Sequence, residues 1–237
     1  MAQFCKSFCV VFLILAVSIT HAQDEEGFSG RAGLGFLATS GNSDTQSLNG
    51  NLDMWLNFDS WRHALNAQAI KSKTSGATTS DAIGWSWQSD YTINATDYIF
   101  GIITIDQDKF TTYDQQVREA VGYGRRVIDH ERHILNAEIG VGARQADLRN
   151  NTSQDGAILR WSGDYRWIIS ESSEFNQILS IESGSDNVFL ESSSALSTNI
   201  RENLALVTSF TIKSNSDVLP GSKKTDTFTA ISLEYTF

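Results

Sequence analysis

From Phe28 to Phe237 the apolar residues of this chain recur at every second position, and a period of two confines the fold to strands. The segment 46–58 carries the pattern most plainly. Leu48, Leu52, Met54, Leu56 and Phe58 share one parity, Ser47, Asn49, Asn51, Asp53 and Asn57 the other, and only Trp55 breaks the polar side. Successive side chains of a strand point to opposite faces, so each such segment has one oily and one wet face. The alternation returns over 61–69, 83–93, 135–143, 157–169 and 231–237, and more weakly over 28–39, 98–106, 114–128, 175–184, 188–199 and 204–213. The reading is an all-β chain of twelve antiparallel strands.

The connections set where those strands go. Short polar turns are expected at 59–60, 94–97, 129–131, 170–173 and 200–203, and mostly longer loops at 40–44, 73–81, 107–113, 147–156, 185–187 and 215–224. An even number of antiparallel strands with tight turns at one end and longer loops at the other is the pattern of an outer-membrane β-barrel with both termini periplasmic. Residues 1–22 fit that destination. Lys6, the apolar run 8–19 and then Thr20, His21 and Ala22 follow the order of a secretory signal, and the run is too short for a membrane helix of roughly 20 residues. We divide the chain into a signal peptide (1–22), an acidic periplasmic tail (23–27) and a barrel (28–237). Both cysteines, Cys5 and Cys9, leave with the signal, which excludes a disulfide framework in the barrel. The formal charge of −10, without clustered Lys or Arg, excludes nucleic acid as a partner.

Aromatic positions indicate which face meets lipid. Trp61, Tyr91, Tyr98, Trp167, Phe175 and Tyr235 fall beside the short turns, and Trp85 and Tyr113 near the long loops, as two interfacial girdles would. The chain stops on an alternating strand with Leu233, Tyr235 and Phe237 on one parity, which resembles the C-terminal signal read by the barrel assembly machinery. The stretch 33–45, with its Thr-Ser-Gly-Asn-Ser-Asp-Thr element, followed by Trp61-Arg62-His63, resembles the opening of the salt-induced outer-membrane protein family, domain of unknown function 481. The resemblance runs to Tyr235-Thr236-Phe237. It implies an outer-membrane barrel linked to salt or osmotic response and supplies no catalytic residues. Gly41, Asn42 and Asp44 are also good turn-formers, so a hairpin accounts for them as well.

The wet parity is expected to line the lumen. It carries Arg31, Arg62, Arg118, Arg126, Arg144, Arg160, Arg166 and Lys213 against Asp53, Asp90, Glu138, Asp164, Glu182, Glu191, Asp226 and Glu234, a near-neutral set. Such a lining filters small polar solutes or ions in a narrow channel, or forms a ladder of ion pairs that fixes the wall of a barrel without transport. In the second case the loops would bind lipopolysaccharide or a partner. Glu119 lies on the apolar parity, so a bulge, a register shift or an interfacial position is expected there. Asp106, Asp108 and Asp114 are read as one external acidic loop, and Asp147 and Asp155 as another. Gly122, Gly124, Gly140 and Gly142 are read as lumen positions that leave room for arginines. No metal site, cofactor or catalytic set is assigned: His63 falls near the periplasmic edge, no Gly-x-Ser-x-Gly turn is present, and an outer-membrane enzyme or a soluble periplasmic barrel ranks below the membrane readings.

Overall fold

The computed structural model describes residues 27–39 and 45–237, so the expected signal peptide and the hairpin at 40–44 lie outside the described residues. Twelve strands form: β1 (Gly27–Thr39), β2 (Thr45–Phe58), β3 (Trp61–Thr74), β4 (Ala77–Thr92), β5 (Asp97–Asp108), β6 (Tyr113–His130), β7 (His133–Leu148), β8 (Ser153–Ser170), β9 (Ser173–Gly184), β10 (Val188–Arg201), β11 (Leu204–Asn215) and β12 (Thr225–Thr236). Each pairs antiparallel with its chain neighbours, and β12 returns to β1, closing one barrel. The even count puts the start of β1 and the end of β12 at one rim, called lower here; the rim that carries the 216–224 loop is the upper one.

The closing seam is short. β1 matches β2 along its whole length but meets β12 only from Arg31↔Thr236 to Leu34↔Leu233. Phe237 extends that seam: its backbone exchanges hydrogen bonds of 2.8 and 2.9 Å with Gly30, and its ring lies where a Cβ on Gly30 would clash.

The strands run further upward than the alternation indicates. Residues 73–81, expected as a loop, instead continue β3 and β4 around a two-residue turn, Ser75-Gly76, with positive φ at both positions. That is the backbone twist a two-residue hairpin requires. Likewise β7 reaches Leu148 and β8 starts at Ser153, which leaves four residues of an expected ten-residue loop. A period of two is written only where one face is oily, so strand ends that are wet on both faces read as loops.

Outward faces carry the large apolar residues, among them Leu34, Phe36, Ile83, Trp87, Val121, Val141, Ile231 and Leu233, all exposed. Trp61, Tyr91, Trp167 and Tyr235 are exposed near the lower rim and Trp85 higher up. Two aromatics depart from the expected girdles. Tyr98 shares the inward parity of β5, and Tyr113, which by count alone shares the outward parity of Val117 and Val121, is turned inward by the register shift at 113–115. Glu119 stands exposed on the outer face, paired regularly with Ile103 and Ala143; the β6 register shifts fall at 113–115 and 126–128, so no bulge excuses it. Its outward neighbours nearer the upper rim are Ile105 and Val117 on β5 and β6, with the polar Gln145 and Asp155 beyond them on β7 and β8.

Candidate functional site

The lumen is lined by the wet parity, and its charges gather at three places. Beside the seam, Arg31 lies between Asp53 (3.8 Å) and Glu234 (3.6 Å), with its guanidinium over the Trp55 ring. That contact explains why Trp55 interrupts a polar face: the ring supports the cation. Asn51 donates to Glu234 at 3.1 Å and ties β2 to β12 across β1.

In the lower lumen Glu138 collects three donors. Arg160 Nη1 donates at 2.7 Å, Gln88 Nε2 at 2.8 Å and the Tyr98 hydroxyl at 3.0 Å. Gln88 also donates to Asp90 at 2.9 Å. Three of the glycines read as room for arginines, Gly122, Gly124 and Gly140, receive rings instead, and Gly142 abuts the Glu119 backbone. A Cβ at Gly124 would sit inside Tyr98, and one at Gly122 would meet Phe100 and the Ile139 carbonyl. Arg160 then lies over Phe100, so the arginine is carried on the ring rather than on the glycine. Toward the lower rim Arg166 pairs with Glu174 (3.1 Å), Asn176 donates to Asp164 (2.8 Å) and Arg126 pairs with Asp129 (3.5 Å). Arg62 stands across from Asp90 in register and is exposed.

The upper lumen holds a belt that crosses the barrel. Arg118 on β6, with its side chain 5% exposed, hydrogen-bonds Asp106 on β5 and lies 3.5 Å from Glu182 on β9. Lys213 on β11 lies 3.4 Å from Asp106 and 3.6 Å from Glu191 on β10. In a ring of twelve strands β5 and β11 are diametrically opposite, so the Lys213–Asp106 contact joins facing walls. Phe189 lies under Arg118. Asp226 stands beside Lys213 in register, and Arg144 on β7 stands beside Arg118.

Above the belt the 216–224 loop folds over the mouth. Leu219 packs on Tyr113, Ala146 and Leu148, and its N–H donates to the Thr112 hydroxyl at 3.2 Å. The Tyr113 hydroxyl donates to the Asp217 carbonyl at 3.0 Å. At the loop's own end Asn187 accepts from the Asp217 N–H (3.0 Å) and the Ser216 hydroxyl (3.2 Å). A loop rooted between β11 and β12 is thereby fastened to the β6 wall across the barrel.

All sixteen charged residues expected in the lumen lie on inward parities, but they are not one ladder. The neutral balance also changes. Asp106 and Asp108, expected in an external loop, share the inward parity of β5, and Glu174, unassigned from sequence, faces Arg166. With Asp129, which the register shift at 126–128 turns inward beside Arg126, these additional acids make the lumen acidic. Asp114, Asp147 and Asp155 face outward, so the first expected acidic loop is split between two faces of the wall and the second lies on the outer face. On the outer face His63 Nδ1 lies 2.8 Å from the Ser89 hydroxyl within a cluster of Phe58, Trp61 and Trp87. Among the described residues no carboxylate hydrogen-bonds that ring.

Comparisons with known proteins place this architecture. The chain is 26% identical to the uncharacterized protein YdiY of Escherichia coli K12 over 223 residues, covering 94% of this chain and 88% of that one. Among solved structures it resembles the translocator domain of the autotransporter NalP from Neisseria meningitidis, with a TM-score of 0.51, 10% identity and 90% of each chain covered. It also resembles the COG4313 outer membrane channel from Pseudomonas putida F1, with a TM-score of 0.50, 9% identity, 92% of this chain and 100% of that one. At such identities the likeness is one of fold: a closed barrel like those of outer-membrane proteins. Residues 32–237 match the family model described as protein of unknown function, DUF481, and the chain belongs to that family.

Proposed function

We propose that the chain is exported, assembled into the outer membrane through its C-terminal strand, and acts there as a narrow channel for small polar solutes or ions in an envelope under salt or osmotic stress. One observation carries the reading: the belt of Asp106, Arg118, Glu182, Glu191 and Lys213, which narrows a hydrated lumen with charges of both signs. The exposed apolar outer face supports lipid as its surroundings, with lipopolysaccharide around the upper rim. The excess of inward acids favours cations over anions in the permeation path. Purified protein without residues 1–22 is expected to give small, cation-preferring conductance steps in a planar bilayer, and Lys213→Ala larger ones. Silence from both proteins would sink the channel reading.

A second reading is favoured by the loop at 216–224, fastened across the mouth: a closed barrel whose upper face binds lipopolysaccharide or a partner. Under that reading neither protein conducts, and lipopolysaccharide added to the detergent-solubilised barrel binds it.

A further inference from the structure

The buried cations of the upper lumen are not treated alike. Arg118 is neutralised by Asp106 and Glu182. Its cross-strand neighbour Arg144, only 6% exposed, makes no ion pair among the described residues. Its Nη2 donates to Gln154 Oε1 at 2.9 Å and its guanidinium lies over the Tyr113 ring, but its Nη1 is buried without a hydrogen-bond partner. Gln116, one level nearer the mouth on β6 and 9% exposed, likewise has a buried Oε1 without a partner. Side-chain amides can present either end, so Gln116, across from Ala146 and one level above Arg144 and Arg118, can offer a buried donor. The nearby carboxylate of Asp217 reaches Gln154 Nε2 at 3.4 Å and stops short of the guanidinium. A buried guanidinium beside a second arginine, with donors unsatisfied, pays desolvation without a counter-charge.

We infer that Arg144, with Gln116, is the anchoring point of a binding site for the carboxylate group of a small monoanionic solute, covered on the mouth side by the 216–224 loop. The planar guanidinium fork matches a carboxylate. The acids of the belt, Asp106, Glu182 and Glu191, select against a dianion, because a single negative charge at Arg144 balances the local field and a second is repelled. This inference rests on the channel reading for its biological sense, with Arg144 a local exception in a path whose acids otherwise favour cations, and a binding measurement that needs no flux tests it.

The detergent-solubilised barrel is heated while its β-sheet circular dichroism is followed, in sodium acetate, sodium phosphate or sodium chloride at equal ionic strength. Acetate is expected to raise the midpoint of the wild-type protein saturably, and phosphate to do no more than chloride. Arg144→Gln is expected to melt higher than wild type in chloride, since it removes an uncompensated charge, and to lose the acetate response. A structural arginine would give the reverse. Arg144→Lys covers the case in which the glutamine variant does not fold; it keeps an acetate response weakened tenfold or more. Absence of an acetate effect on the wild type, or an undiminished effect in either variant, overturns the site. An acetate response in a barrel silent in bilayers would retain the site and remove the channel, and conductance without that response would do the opposite.

Discussion

In the upper lumen Lys213 reaches an acid six strands away on the facing wall, whereas in the lower lumen Glu138 draws its partners from β4, β5 and β8, none more than three strands off. Both levels are built around carboxylates, and the first difference lies in what the contacts span. A belt that joins facing walls fixes the bore. A cluster on one arc fixes the curvature of that arc and leaves the opposite wall untouched. The lower cluster also has rings seated over glycines, Tyr98 on Gly124 and Phe100 on Gly122, whereas the belt depends almost entirely on charge.

Substitutions at the two levels test this contrast. The largest effect is expected for Arg118→Met, which strips Glu182 of its only ion-pair partner among the described residues and leaves Asp106 to Lys213 alone. Breaking a buried pair from one side costs about 3–5 kcal/mol, to be read from urea unfolding of the barrel in lipid vesicles. Glu138→Gln is expected to cost about 2–3 kcal/mol, because the amide still accepts from Tyr98 and Gln88 while Arg160 loses its charge partner. It should leave bilayer conductance within the range of wild type, while Arg118→Met changes it; equal effects on conductance would erase the distinction between the levels. Tyr98→Phe removes one hydrogen bond to a carboxylate and is expected to cost about 1.5 kcal/mol. Leu219→Ser comes last in stability, at about 1 kcal/mol for a half-buried leucine, but it unfastens the mouth. Protease nicking within 216–224 should quicken in that variant and stay slow in Glu138→Gln.

Much of the wall was legible because each strand is written against two solvents at once. Arg31, Asp53 and Glu234 meet as adjacent-strand neighbours, and parity with strand order is enough to bring them together. Asp106 was missed because it lies near the end of β5, where alternation fades and three acids in nine residues resemble an exposed loop. Tyr98 and Tyr113 were misplaced for a related reason: position beside a turn is shared by girdle and lumen residues, and what separates them is parity within a paired strand for Tyr98 and the register shift at 113–115 for Tyr113. Glu119 was seen as a misfit from its parity, but its regular pairing could not be read from the sequence.

The sequence by itself determined the strands, their number, their order and which side chains face inward wherever the alternation is strong, since all of these follow from a local period and from short connections between neighbours. Only the tertiary structure decided which inward charges meet. Lys213 and Asp106 are 107 residues apart and lie on facing walls, and their contact depends on the bore and stagger of the closed barrel, which no local pattern encodes. The same holds for the loop at 216–224, whose residues look like any polar connection until closure brings Thr112 and Tyr113 beneath them. Arg144 differs from the buried Arg118 and Arg160 for that reason alone: its sequence neighbourhood is ordinary, and among the described residues the closed barrel brings it no ion-pair partner.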